Sequence, residues 1–360
     1  MESLEDGLVR VAAERGFSGA VRVDRGGRTE LVHSFGLADR AHGVPNTPET
    51  QFAVASAVKS MTAVTVMRLV EDGLLERGTT ARSLLGPDLP LIHDAVTVEH
   101  LLAHRSGIGD YLDEDGDWDV ADYVLPVPVH ELATTEAYLR VLDGYPQKFA
   151  PGERFAYCNG GYVVLALMAE RAAGTAFHEL VDRLVCEPAG MRDTVFLRSD
   201  ELPGRAARGY LEPAGLRTNV LHLPVRGSGD GGLYTTLADV HAFWRALLDG
   251  RIVSRELVAE MLLPRSDCPE ESSRYGLGFW LDGSRDDVMF LEGYDPGVSF
   301  RSVHVRSSDL TWTVVSNTSD GAWPVVRYLG EVLLDSERAG SSDVAPATAA
   351  PSQAATTGTQ

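Results

Sequence analysis

The apolar positions of this chain fall into blocks whose spacing predicts its elements. Over residues 58–70, Val58, Met61, Val64, Val66, Met67, Leu69 and Val70 surround a helical axis almost completely. A helix without a polar face is a buried one, and Gly73 predicts its end. Residues 162–173 repeat this pattern and stop at Gly174, and a further helix is predicted at 177–185. The spacing predicts an amphipathic helix over 4–13 and helices over 97–104, 131–143 and 324–334. The capping box Thr236-Leu-Ala-Asp239 opens another, running to Leu248. Period-two or continuous apolar runs predict strands at 19–23 and 30–35, joined by a turn over 24–27, and at 288–291, 298–305 and 310–315.

Strands therefore lie at both ends of the sequence and helices fill the middle. The economical arrangement is an α+β fold of one domain, residues 1–336. One antiparallel sheet is built from about 1–55 and 270–336, with a mostly helical region inserted at about 75–250. A site is expected in the cleft between the two parts. The tail 337–360 is Ala, Ser, Thr and Pro in bulk and is read as disordered.

Composition narrows the class. With 44% hydrophobic and 23% charged residues the chain is an ordinary globular one. No run approaches the ~18 apolar residues of a membrane helix, and the first residues lack the basic and apolar regions of a signal peptide. Three scattered cysteines, Cys158, Cys186 and Cys268, argue against a disulfide framework and for a reducing compartment, so a cytoplasmic protein is expected. A net charge of −20 opposes binding to nucleic acid or anionic membrane. The acidic run 110–122 lacks the alternating ligands of a calcium loop and is read as solvated. Gly227–Gly232 carries Asp230 and no following lysine, so it is not a phosphate cradle. No metal or cofactor is expected.

The chemistry is concentrated at the head of the buried helix. Ser56 and Lys59 are three residues apart and share one face of its first turn. A serine hydroxyl is a weak nucleophile until a base takes its proton, and a desolvated amine is able to act as that base. The chain has only two lysines, Lys59 and Lys148, and writes arginine elsewhere. Arginine cannot be deprotonated and so cannot replace a lysine base.

Several ordered segments carry a family resemblance. They are Phe17-Ser-Gly-Ala-Val-Arg-Val, Asn46-Thr-Pro-Glu-Thr-Gln-Phe52, Ser56-Ala-Val-Lys59 and Val98 to Ile108 with His104-Arg-Ser-Gly107. Phe149 to Asn159 with Tyr157-Cys-Asn159, Gly231 to Asp239 and Tyr275 to Trp280 follow. In this order they resemble the serine β-lactamase-related hydrolases: class C β-lactamases, D-alanyl-D-alanine carboxypeptidases and family esterases. The resemblance implies a β-lactamase/transpeptidase-like fold and an acyl-enzyme serine hydrolase for a small ester or amide. By resemblance Ser56 is the nucleophile, Lys59 its base or part of the proton network, and Tyr157 a second proton carrier whose pKa Lys59 is expected to lower. Asn159 is expected to bind substrate, and Ser56 with a main-chain N–H near Tyr294 to form the oxyanion hole. His104 is expected to be a structural hydrogen-bonder and Cys158 a small buried residue.

One element departs from the pattern. Where relatives carry Lys-Thr-Gly or His-x-Gly beside the nucleophile, alignment on Pro296-Gly297 puts Leu291-Glu292-Gly293. Leucine neither binds a substrate carboxylate nor relays a proton. With Leu291 expected to face the cleft, the substrate class moves toward uncharged, moderately apolar acyl groups. A carboxylate would have to meet an arginine such as Arg226 or Arg301. Two alternatives remain: a non-catalytic binding or scaffold protein that keeps the fold, and a true β-lactamase or carboxypeptidase.

Overall fold

The computed structural model describes residues 2–114 and 124–334. The tail and most of the acidic run lie outside the described residues. The first helix, α1 (Leu4–Arg15), is closed by Ser3, whose hydroxyl accepts the Asp6 N–H, and by Gly16 in the left-handed conformation.

The strands are β1 (Gly19–Arg25), β2 (Arg28–Phe35), β3 (Leu37–Asp39), β4 (Val44–Pro45), β5 (Phe52–Ala53), β6 (Tyr234–Thr235), β7 (Ser266–Cys268), β8 (Ser273–Tyr275), β9 (Trp280–Asp282), β10 (Val288–Asp295), β11 (Val298–Val305) and β12 (Leu310–Ser316). Eight of them form one sheet in the order β2-β1-β12-β11-β10-β9-β8-β7, and β3-β4 and β5-β6 are two-stranded pieces. The two ends of the chain meet where β1 pairs antiparallel with β12, from Gly19↔Ser316 to Arg25↔Leu310. The sheet is thus assembled from the terminal segments, as the sequence pattern predicts.

Two strands run longer than the apolar pattern. The β1–β2 turn is only Gly26-Gly27, both at positive φ (55° and 72°), so Asp24 stays in the strand. β10 continues through Glu292-Gly293-Tyr294-Asp295 to a two-residue turn, Pro296-Gly297, because each of these polar residues is paired to β11. The helix expected over 131–143 is instead a 3₁₀ turn, Thr135–Tyr138, running into Leu139–Leu142. Thr134 is extended and its side chain caps Ala137 N–H, which delays the start.

Each face of the sheet carries its own core. On one, Leu8 of α1 packs with Val314 and Trp312 and with Val325 and Leu329 of the Ala322–Leu329 helix. On the other, Leu291, Phe300 and Val315 pack with the buried helix α2 (Val58–Glu71) and the Asn159–Ala173 and Leu237–Leu248 helices. Eleven of the fourteen α2 residues are buried. Each fully buried valine or methionine there contributes about 1.5–3 kcal/mol. Its buried hydroxyls are all spent on main-chain carbonyls: Ser60 on Gly278, Thr62 on Gly229, Thr65 on Met61. The Thr62 bond at 2.7 Å ties α2 to the Gly227–Gly232 stretch and so fixes the floor of the cleft.

Candidate active site

The chain reaches α2 through β5, Val54 and a 3₁₀ turn, Ala55–Ala57. Ala55 has φ +48°, a left-handed conformation that costs a non-glycine residue about 1 kcal/mol or more. This kink lifts Ser56 to the head of α2, partly exposed to the cleft. The edge of β10 lies hard against the turn. A Cβ added at Gly293 would stand 2.1 Å from the Val54 carbonyl oxygen and 3.0 Å from Ser56 N, so only glycine fits there. β9 pairs β10 only at Met289 and Phe290, which leaves the edge beside Ser56 open. Counting from the two-residue turn, the antiparallel ladder makes Tyr294–Ser299 a non-hydrogen-bonded pair, so Tyr294 N–H points to that open edge.

Lys59 is 2% exposed. Its Nζ lies 2.8 Å from each of three oxygens: Ser56 Oγ, Asn159 Oδ1 and the Asp230 carbonyl. Two of these are acceptors only. A neutral amine would give one N–H to each of them and turn its lone pair toward the Ser56 hydroxyl; an ammonium would donate to all three. The Asn159 amide is oriented without ambiguity, because its Nδ2 donates to Leu112 O (3.1 Å) and Glu114 Oε1 (2.8 Å).

Tyr157 stands beside Ser56, and Lys59 Nζ is 4.9 Å from its ring centroid. Its hydroxyl is nevertheless held well above the usual phenol range, first by burial and then by the negative charge of Glu114. This direction is opposite to the expected lowering of its pKa. The ring stacks on His104, 4.3 Å between centroids. His104 Nδ1 accepts Cys158 N–H at 3.0 Å, and burial, with Lys59 nearby, keeps the imidazole well below its ordinary pKa. It is a structural hydrogen-bonder, and Cys158 is buried and caps the following helix through its sulfur.

Part of the acidic segment read as solvated is buried in the site. Asp110 is 5% exposed and accepts the N–H groups of Asn159 (2.5 Å) and Gly160 (2.9 Å), capping the Asn159–Ala173 helix and aiming Asn159 at Lys59. Burial pushes its carboxyl up to about 6, against those hydrogen bonds. Tyr111 donates to Asp230 Oδ2 at 2.5 Å. Asp230 is also buried and its pKa raised by burial, with Lys59 opposing. Asp110 follows directly on the His104-Arg-Ser-Gly107 segment, and this proximity was the available signal.

Ser56, Asn159, Asp230 and Asp295 line a cleft with roughly 880 Å³ of empty space, open to solvent and walled by apolar side chains including Leu112, Leu197 and Val225. Asp295 was not singled out from the sequence. Burial pushes its carboxyl up to about 7; Lys59 opposes this, and Asp230 and Glu114 add to it. Leu291 shares the α2-facing side of β10 with Gly293 and Asp295, but it is 1% exposed and belongs to the core. It does not line the cleft, which corrects its expected role as an acyl-binding wall. Tyr294 points its ring away, 42% exposed and 6.2 Å from Trp323. Neither arginine lines the cleft: Arg301 pairs with Glu292 on the opposite face, and Arg226 donates to Phe196 O at 3.0 Å. Among the described residues no group of His, Cys, Asp or Glu is arranged to hold a metal, and no helix is long and apolar enough to cross a membrane.

This arrangement matches known proteins over most of the chain. The penicillin-binding protein PbpX of Bacillus subtilis is 28% identical over 312 residues, 86% of this chain and 73% of that protein. Esterase EstB of Burkholderia gladioli is 34% identical over 58% of this chain, which spans 55% of the esterase. The crystal structure of a penicillin binding protein from Bacillus halodurans, 34% identical, superposes with a TM-score of 0.84 over 90% of this chain and 99% of that one. The Beta-lactamase family model matches residues 4–333, and the chain belongs to that family.

Proposed function

We propose that the chain is a serine hydrolase that cleaves a small ester or amide through an acyl-enzyme on Ser56. The observation that carries this reading is the Lys59 contact, 2.8 Å from Ser56 Oγ beneath an open cleft. In the proposed reaction Lys59 takes the Ser56 proton as Oγ attacks the acyl carbonyl. The oxyanion is received by the main-chain N–H groups of Ser56 and Tyr294. Tyr157 passes its proton to the leaving group and is reprotonated by Lys59, and the reverse relay through water frees the acid. Asn159 holds Lys59 and presents its amide beside the substrate. The esterase named above supports ester chemistry.

A scaffold that merely keeps the fold would need neither the 2.8 Å contact nor the open space above it. A β-lactamase or carboxypeptidase would need a cation for the substrate carboxylate, and among the described residues no lysine or arginine lines the cleft. Apolar walls support a moderately apolar acyl group, supplied by Leu112, Leu197 and Val225 rather than by Leu291. A cytoplasmic location is supported by three buried, unpaired cysteines; recovery from the cell envelope or medium would overturn it.

The test is turnover of p-nitrophenyl esters, amino-acid amides and nitrocefin by wild type, Ser56→Ala and Lys59→Arg side by side. Arginine keeps the charge but cannot accept the proton, so Lys59→Arg is expected to fall nearly as far as Ser56→Ala. Activity retained within about tenfold, only ~1.4 kcal/mol of barrier, removes Lys59 from the proton path.

A further inference from the structure

The cleft holds a carboxylate that the proposed chemistry does not use. Asp295 closes β10, two residues beyond Gly293 and on the same face, so it sits about 7 Å further along the edge that abuts the Ser56 turn. Its position over the cleft floor is fixed from a second direction. A Cβ placed on Gly231 would be 3.8 Å from Asp295 Oδ2 and 4.0 Å from the Ala55 carbonyl carbon. Among the described residues no hydrogen bond reaches this carboxylate. Asp230, by contrast, is engaged by Tyr111, and Glu114 by Asn159. Asp230 and Glu114 add negative charge around Asp295, Lys59 offsets part of it from beneath the floor, and among the described residues the cleft lining contains no lysine or arginine. A half-buried carboxylate without a hydrogen-bond partner is costly to the fold, and a cation brought by a ligand would relieve that cost.

We propose that Asp295 is the counter-charge for a protonated amine on the acyl portion of the substrate, so that the natural substrates are amides or esters carrying a free amino group and an apolar side chain. The amine would sit between Asp295 and the Asp230 side of the floor, the acyl carbon over Ser56, and the side chain against Leu112, Leu197 and Val225. The proposal rests on the reading of Ser56 as nucleophile and names the substrate class for that site. It also accounts for the missing cation at 291. A site built for an amine has no use for a lysine or histidine on the same strand face, and a carboxylate-bearing ligand would meet Asp295 instead.

The test is a matched pair: leucine p-nitroanilide in both enantiomers against its N-acetyl derivative, at pH 7.5, on wild type and Asp295→Asn. Wild type is expected to favour one enantiomer of the free amine by at least tenfold in kcat/KM, and Asp295→Asn to lower the amine-to-acetyl ratio at least tenfold, mainly through KM. Equal or better use of the acetylated substrate, or a ratio unmoved by Asp295→Asn, overturns the proposal. Binding gives an independent readout. Leucinamide is expected to bind Ser56→Ala at least tenfold more tightly than N-acetyl-leucinamide by calorimetry, and to lose that advantage when Asp295→Asn is added. Amine-selective binding without turnover by wild type would sink the hydrolase reading and keep the amine site. Turnover without amine selectivity would sink the amine site and keep the hydrolase.

Discussion

Replacing Asp295 by asparagine should make the protein more stable, and increasingly so as pH rises. The carboxyl titrates near the ordinary 3.8 in the unfolded chain and at about 7 in the folded one, because burial, with the charges of Asp230 and Glu114, outweighs the opposing pull of Lys59. The folded-state value is raised, so the stability it contributes is full below pH 3.8 and is lost as pH climbs through about 7. At about 1.36 kcal/mol per pH unit, the loss between pH 5.5 and pH 8.5 is about 2 kcal/mol. The side chain is partly open to the cleft, and solvent screening leaves about 1 kcal/mol of that. Asparagine keeps the shape and cannot ionise. The melting-temperature gap between Asp295→Asn and wild type should therefore widen by about 1–2 °C over this range. Thermal unfolding by circular dichroism at half-unit pH steps reads it directly. A gap that is constant, or that narrows as pH rises, would show that Asp295 is solvated or paired in the folded protein and would remove the basis of the amine site.

Tyr157→Phe deletes the hydroxyl beside Ser56 and should cost about 100-fold or more in kcat, with the melting temperature nearly unchanged; a loss below about fivefold would take Tyr157 out of the relay. Gly293→Ala forces a methyl against Val54 O and Ser56 N, backbone atoms that yield only if the turn moves; kcat/KM should drop about 100-fold, and a fully active variant would show that the turn is not where the geometry puts it. Leu291→Lys buries an ammonium in the core beside α2, which should cost several kcal/mol and leave little folded protein; a well-folded variant with a new taste for carboxylate substrates would return Leu291 to the cleft wall.

The sheet built from both termini and the buried α2 were legible because apolar periodicity reports burial, and both elements are buried on the faces that periodicity marks. Ser56, Lys59, Tyr157 and Asn159 were legible as an ordered motif set. What was not legible is the pairing of polar residues. The apolar run ends at Leu291, yet the strand continues through Glu292 to Asp295, held by β11 on one edge and by the Ser56 turn on the other. Asp110 reads as one of several solvated acids, and only the fold turns it into the cap that orients Asn159. The side-chain direction of Leu291 follows strand alternation as expected, but alternation cannot say whether that face is cleft or core. The core begins just below Gly293, and Leu291 falls on the core side.

The central claim is that Ser56 is a nucleophile activated by Lys59. A fluorophosphonate probe followed by peptide mapping tests it most directly. The expected result is a single stoichiometric adduct on Ser56 in the wild type. It should be absent in Ser56→Ala and should form at least 100-fold more slowly in Lys59→Arg. An unlabelled Ser56, under conditions that label an active β-lactamase-family esterase, would contradict the account, as would labelling of Ser56 at the same rate in Lys59→Arg.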